Sequence, residues 1–153
     1  LEPENNVEIS INAYSYKKRK FPLVVVGNTN TPHAQYLLQY KNEDIHFIEG
    51  VYIKEKLQLL RAGAFSYWHG HSVGGTNPSL LEAMGSGNLC VCHDNIFNRE
   101  VVGVNGCFFN NPESGAAIFS QIESENFDSE QLTSGVLERA LSYYNWNRIT
   151  MSI

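Results

Sequence analysis

The feature that most constrains this chain is the regular exchange of short apolar runs with capped or amphipathic segments. "FPLVVVGN", residues 21–28, is a continuous apolar run closed by Gly-Asn, the pattern of a strand buried on both faces. Four more strand candidates follow, "DIHFIE", "AFSYW", "NLCVCHD" and "GCFFN". Between them lie helical segments at residues 32–40, in "YIKEKLQLLRAG" closed by Gly63, in "PSLLEAMGSG" and in "IFNREVVG". Beyond Pro112, "SGAAIFSQIES" and "SEQLTSGVLERALSYY" read as two helices, and "YYNWNRITMSI" reads as another beginning. Strands alternating with helices predict an α/β domain: a three-layer, Rossmann-like arrangement around a mainly parallel sheet. Ligands of doubly wound sheets bind beyond the carboxyl ends of the strands. That selects four loops: residues 27–31, 49–52, 69–77 and 93–95.

The opening "LEPENNVEISINAYSYKKRK" enters helical material with no strand before it. Pro3-Glu4 is a helix-start signal, and a helix is expected over residues 4–16. Both ends read as cut from a longer protein, so residues 1–153 are taken as one domain truncated at each end.

A chain of 153 residues is one domain's worth and can bury a real core. Its 42% hydrophobic and 18% charged content fit a globular domain. A net charge of -5 argues against a nucleic-acid partner, which needs a concentrated basic surface. The one basic run, "YKKRK" at residues 16–20, falls at an expected helix end, where cations are favoured. No apolar run is long enough to cross a bilayer, and no signal peptide is visible. Cys90 and Cys92 alternate with valines in a buried strand pattern and read as reduced core thiols, which suggests a cytosolic setting.

Most of the functional information sits in "YWHGHSVGGTNPSLLEAMGSGNLCVCHD", residues 67–94. Gly74 and Gly75 permit backbone shapes and close approaches that side chains forbid. Asn77 before Pro78 makes a helix N-cap followed by proline in the first turn. Free N–H groups at Ser79 and Leu80 would then face the loop and attract an anion such as a diphosphate. An ordinary capped helix after a glycine turn is the plain alternative. The loop is neither a Walker loop nor a G-x-G-x-x-G dinucleotide motif.

Glu82 lies one turn into this helix among Leu80, Leu81, Ala83 and Met84. It could accept hydrogen bonds from vicinal hydroxyls, such as those of a ribose, or be a solvated surface glutamate. His69 and His71, with Cys90 and His93, bring zinc to mind, but C-V-C-H is not a zinc spacing and no metal is expected. A neutral histidine donating to a sugar or phosphate, or a packed structural one, fits better. No catalytic Ser/His/Asp or Cys/His set is defensible.

"NPSLLEAMGSGNLCVCHD" and "REVVGVNGCFFNNPESGAAIF" together resemble the C-terminal, donor-binding domain of family-four glycosyltransferases of the GT-B fold. "LEPENNVE" resembles the segment after that domain's first strand, and "YNWNRIT" its close. The finer variant "HGHSVGGTNPSLLEAM" is similar to a rhamnosyltransferase subgroup of bacterial polysaccharide biosynthesis.

The resemblance implies a nucleotide-sugar donor, with Glu82, the second glutamate of E-x7-E, on its ribose. The first glutamate of that motif, which touches the sugar, falls on Gly74. Gly75, Thr76, Asn77 and Ser79 would meet phosphate and sugar, with His71 at the loop's mouth. Gly27 and Asn28 end a strand facing the same cleft, and Tyr52 would stack on the base. The family's arginine near the first strand is absent, and its lysine falls near Asn5 or Asn6, so donor binding should be weak.

By the same resemblance, an N-terminal acceptor domain of the full-length protein is the partner. The reaction would transfer a hexose or a 6-deoxyhexose such as rhamnose to a polysaccharide or lipid-linked acceptor. It would retain anomeric configuration without metal or cofactor, in the cytoplasm, with the full-length enzyme open to peripheral membrane attachment. The rivals are a GT-B epimerase of nucleotide-sugars and a non-catalytic flavodoxin-like regulatory module. The expected central first strand precedes Leu1, which leaves a gap to be filled by another segment or by self-association.

Overall fold

A computed structural model describes residues 1–144; the expectations for "YNWNRIT" and for a last helix fall at or beyond its end. The strands are β1 (Leu23–Val26), β2 (Ile45–Ile48), β3 (Tyr67–His69), β4 (Cys90–His93) and β5 (Cys107–Phe109). The helices are α1 (Val7–Tyr14), α2 (Pro32–Leu37), α3 (Lys54–Gly63), α4 (Pro78–Gly85), α5 (Ile96–Val102), α6 (Pro112–Ile122) and α7 (Glu130–Tyr143). Every strand pairing is parallel: β1 with β2, β3 with β4, and β4 with β5. Each pair is bridged by a helix, so these are βαβ units, and the α/β reading holds.

Period-2 alternation builds the layers. Cys90 and Cys92 point to one face with Leu80, Ala83 and Met84 of α4, Val101 and Val102 of α5, and Val136 of α7. The opposite face gathers Ile11, Ala13 and Tyr14 of α1 with Phe119 and Ile122 of α6. Trp68 stacks on Phe119 at 3.8 Å between ring centroids, while its neighbour Tyr67 packs into the other layer. Burial pushes the Cys90 thiol up to about 12 and the Cys92 thiol well above its ordinary value, so both stay protonated packing groups.

The sheet comes in two pieces. Among the described residues β1 pairs with β2 and β3 with β4, and no ladder joins β1 to β3. This bears on "LVVV", expected to be buried on both faces. Val25 is 8% exposed but Val24 is 42% exposed. A continuous apolar run predicts full burial only when neighbours close both edges, and one edge of β1 borders open space.

The opening segment also departs from expectation. In place of one helix over residues 4–16, a 3-10 turn at Pro3–Asn5 ends at Asn6, whose φ of 48° is left-handed, and α1 starts afterwards. Asparagine tolerates that conformation, and tertiary bonds hold it: the Asn6 amide donates to the Gly70 carbonyl at 2.8 Å. The basic run behaves as read at one position. Arg19 is buried, donating from Nε to the Tyr14 carbonyl at 3.0 Å and from Nη2 to Ala13 at 2.9 Å, so it closes the end of α1.

Candidate functional site

Between β1 and β3 lies the gap that the sequence predicts, a cleft of about 1280 Å³. Its body is apolar, with Val24, Leu60, Phe65 and Trp68 in the walls. Its mouth, where the strands end, is polar. Gly27, Asn28, Tyr52, His71, Asn77 and Ser79, six of the ten expected donor residues, line this one cleft. Gly74, Gly75 and Thr76 lie outside its lining, exposed in the loop after β3. Gly74 has a φ of +86°, the conformation that turns the chain into α4 and that glycine takes without strain.

Asn77 caps α4 as expected, its Oδ1 accepting from the Ser79 amide at 2.9 Å. One expectation is corrected here. The Ser79 and Leu80 amides are not free: Asn77 Oδ1 takes the first, and the Asn77 carbonyl accepts from the second at 3.1 Å. An anion at this helix end must therefore share or displace the cap. A good N-cap satisfies the very donors that an empty anion site would offer.

His71 is fixed from three directions. Its Nδ1 lies 3.3 Å from the Asn5 amide nitrogen, and its carbonyl accepts from Asn95 Nδ2 at 3.2 Å and Asn98 Nδ2 at 2.9 Å. With the Asn5 amide donating to Nδ1, the ring's proton sits on Nε2. Gly70 lets the opening segment come this close, since a Cβ there would overlap the Asn5 carbonyl oxygen. His69 is 5% exposed, and its Nε2 is buried without a hydrogen-bond partner. Burial, with His71 nearby, lowers it to about 4, so His69 is neutral near pH 7. Tyr52 is 87% exposed, its ring folded back over Gly50 at the rim.

Glu82 does not line the cleft. Its side chain is 55% exposed to water, and its Oε2 accepts from Arg61 Nη2 at 2.7 Å; Arg61 does line the cleft. Reading the sequence missed this arginine and Lys56, two cations that α3 brings to the cleft wall. Leu57, four residues before Arg61, marks the shared helix face, but nothing in the sequence aims that face at Glu82. Asn98, 4% exposed, was also missed; it ties the His71 and His93 carbonyls together at 2.9 Å each. Among the described residues no group of three His, Cys, Asp or Glu could hold a metal ion.

The model of glycosyl transferases group 1 matches residues 1–124, most of the chain. The chain belongs to that family. A group 1 glycosyl transferase domain of this kind is similar in fold to Anabaena HepE, solved in complex with UDP, at a TM-score of 0.86 and 18% identity. That match covers 99% of this chain and 44% of HepE, so the chain spans under half of the solved protein. No curated protein matches it. The fold is the Rossmann-like C-terminal domain of GT-B glycosyltransferases. Among the described residues no helix is long and apolar enough to cross a membrane.

Proposed function

We propose that this group 1 domain is the donor-binding half of a glycosyltransferase and holds a nucleoside diphosphate sugar at the polar mouth of the cleft, beyond the carboxyl ends of β1 and β3. One observation carries the reading. Three separate segments, after β1, after β2 and from β3 into α4, bring Gly27, Asn28, Tyr52, His71, Asn77 and Ser79 to the rim of one cleft at the carboxyl ends of parallel strands. Asn28 and His71 offer polar groups to the diphosphate, Lys56 is a nearby cation, and the start of α4 joins them once the Asn77 cap is shared or displaced. Tyr52 offers a face for the base, and Glu82 accepts from the pentose hydroxyls. Gly75 and Thr76 close on the sugar from the loop, and Gly74 leaves room where a larger residue would meet a sugar hydroxyl. UDP, present in the HepE crystal, is the first ligand to try.

The full-length enzyme would transfer the sugar, a hexose or a 6-deoxyhexose such as rhamnose, to a polysaccharide or lipid-linked acceptor held by a second domain. Stabilising the leaving diphosphate is this domain's share of the chemistry. Alone, the 153-residue chain binds the donor and does not turn it over. Titration calorimetry with UDP, GDP and dTDP, free and sugar-linked, tests this; heat is expected with at least one. Silence from all of them at millimolar protein ends the reading. Glu82→Ala should weaken binding at least about tenfold and, because it leaves the buried Arg61 without its partner, cost about 1–3 kcal/mol of stability. The open edges of β1 and β3 also invite self-association of the isolated domain, visible by light scattering as a mass above 17.2 kDa.

A further inference from the structure

Glu82 is half-exposed on α4, 55% open at its side chain. A glutamate so placed has several rotamers within reach and little packing to choose among them. Arg61 makes the choice. It is 7% exposed in the last turn of α3, and the Asn88 amide, itself buried, donates to its carbonyl at 2.8 Å. The guanidinium has a fixed root. From there Nη2 meets Glu82 Oε2 at 2.7 Å, while Nε is buried with no hydrogen-bond partner. The planar donor fork of arginine orients a carboxylate as lysine cannot.

The arrangement leaves capacity on both sides. A carboxylate has about four acceptor sites on two oxygens, and Arg61 occupies one. Oε1 and the second lone pair of Oε2 stay available to hydroxyls. Arg61 lines the cleft and Glu82 does not, so the ion pair joins the acid to a residue of the cleft wall. Tyr67 also lines the cleft, and burial pushes its phenol up, so it stays neutral.

We infer that Arg61 is a positioning residue for sugar recognition: it clamps Glu82 in the one orientation that can grip the pentose hydroxyls of a nucleoside diphosphate. The inference rests on the donor-binding reading above and adds a separable claim. Recognition of the pentose hydroxyls depends on Arg61, whereas recognition of base and diphosphate does not.

The test compares the tightest binder among UDP, GDP and dTDP with its 2′,3′-dideoxy counterpart by calorimetry, on the 153-residue chain. Wild type should favour the hydroxylated ligand by about tenfold or more, the worth of a charge-assisted hydrogen bond. Arg61→Met should bring that ratio to within about twofold while dideoxy affinity changes by less than about threefold. Glu82→Gln should do the same, and the double variant no more than either single one, as expected of residues acting as a unit. Arg61→Lys, which keeps the charge but not the fork, should keep the fold if Arg61→Met does not and still lose most of the preference. Preserved preference in a folded Arg61 variant overturns the inference and leaves the donor reading standing. Equal loss of both ligands also overturns it, because that marks a general electrostatic role. Failure of the wild type to bind any nucleotide removes the donor reading and this inference together.

Discussion

β1 and β4 are both short, apolar and parallel, yet they live in different worlds. In β4, Cys90, Val91 and Cys92 are fully buried, with β3 and β5 on either edge and a helix layer on each face. β1 has β2 on one edge and the cleft on the other, and Val24 stays 42% exposed. The contrast shows that an apolar run specifies a preference, while its neighbours decide how much of that preference is realised. On the donor-binding proposal the contrast also separates labour: the β3–β4–β5 half packs as scaffold, and the mouth of the cleft beside β1 would carry recognition.

Substitutions can break that contrast. The largest effect should come from Phe109→Ala. Phe109 has no exposure and lies 5.3 Å, centroid to centroid, from Trp68. Urea unfolding should show a loss of about 3–5 kcal/mol, the usual cost of truncating a buried phenylalanine. A loss below about 1 kcal/mol would mean that this half is not the rigid scaffold.

Next comes acid. His69 is lowered to about 4 in the fold and returns to about 6.5 on unfolding. Between those values the unfolded chain binds a proton that the native state refuses, so stability falls as pH drops from about 6.5 toward 4 and is flat in this term above that window. Going from pH 7.5 to 5 should cost about 2 kcal/mol. His69→Leu should remove that share of the slope, and an unchanged slope would place the titration elsewhere.

Asn77→Ala should follow, at about 1 kcal/mol, since it removes the bond from Asn77 Oδ1 to the Ser79 amide. The same variant sharpens the functional side, because the amide it frees becomes available to phosphate. Nucleoside diphosphate affinity should fall less than stability does. The smallest effect is expected at Val24→Ala, under about 0.5 kcal/mol. A cost like that of a buried valine would show that something covers β1 in solution, and light scattering would tell whether a second copy does.

Much of the fold was legible because its signals are local. The cap Asn77, read from the sequence, accepts from the Ser79 amide two residues on, and such a bond depends on sequence neighbours alone. The alternation of Cys90 and Cys92 is local too. The site was legible in part. Its glycines and its N-cap stand out in the chain, and the resemblance carried by "NPSLLEAM" led to Glu82. Arg61 did not stand out, because a guanidinium on an amphipathic helix looks the same in sequence whether it faces water or a carboxylate on another helix. Asn5 was read only as a missing lysine, yet it holds His71 across 66 positions of chain.

Taken alone, the residue order determined which segments are strands and helices, which way each strand's side chains alternate, and that helix starts and strand ends would face one edge of a parallel sheet. Tertiary structure alone decided that Arg61 meets Glu82, that Asn5 holds His71, and that six of the expected residues share one cleft. The physical reason is range. Caps, turns and side-chain alternation are settled within a few residues, whereas an ion pair between two helices or a cleft shared by several segments exists only once distant segments have packed.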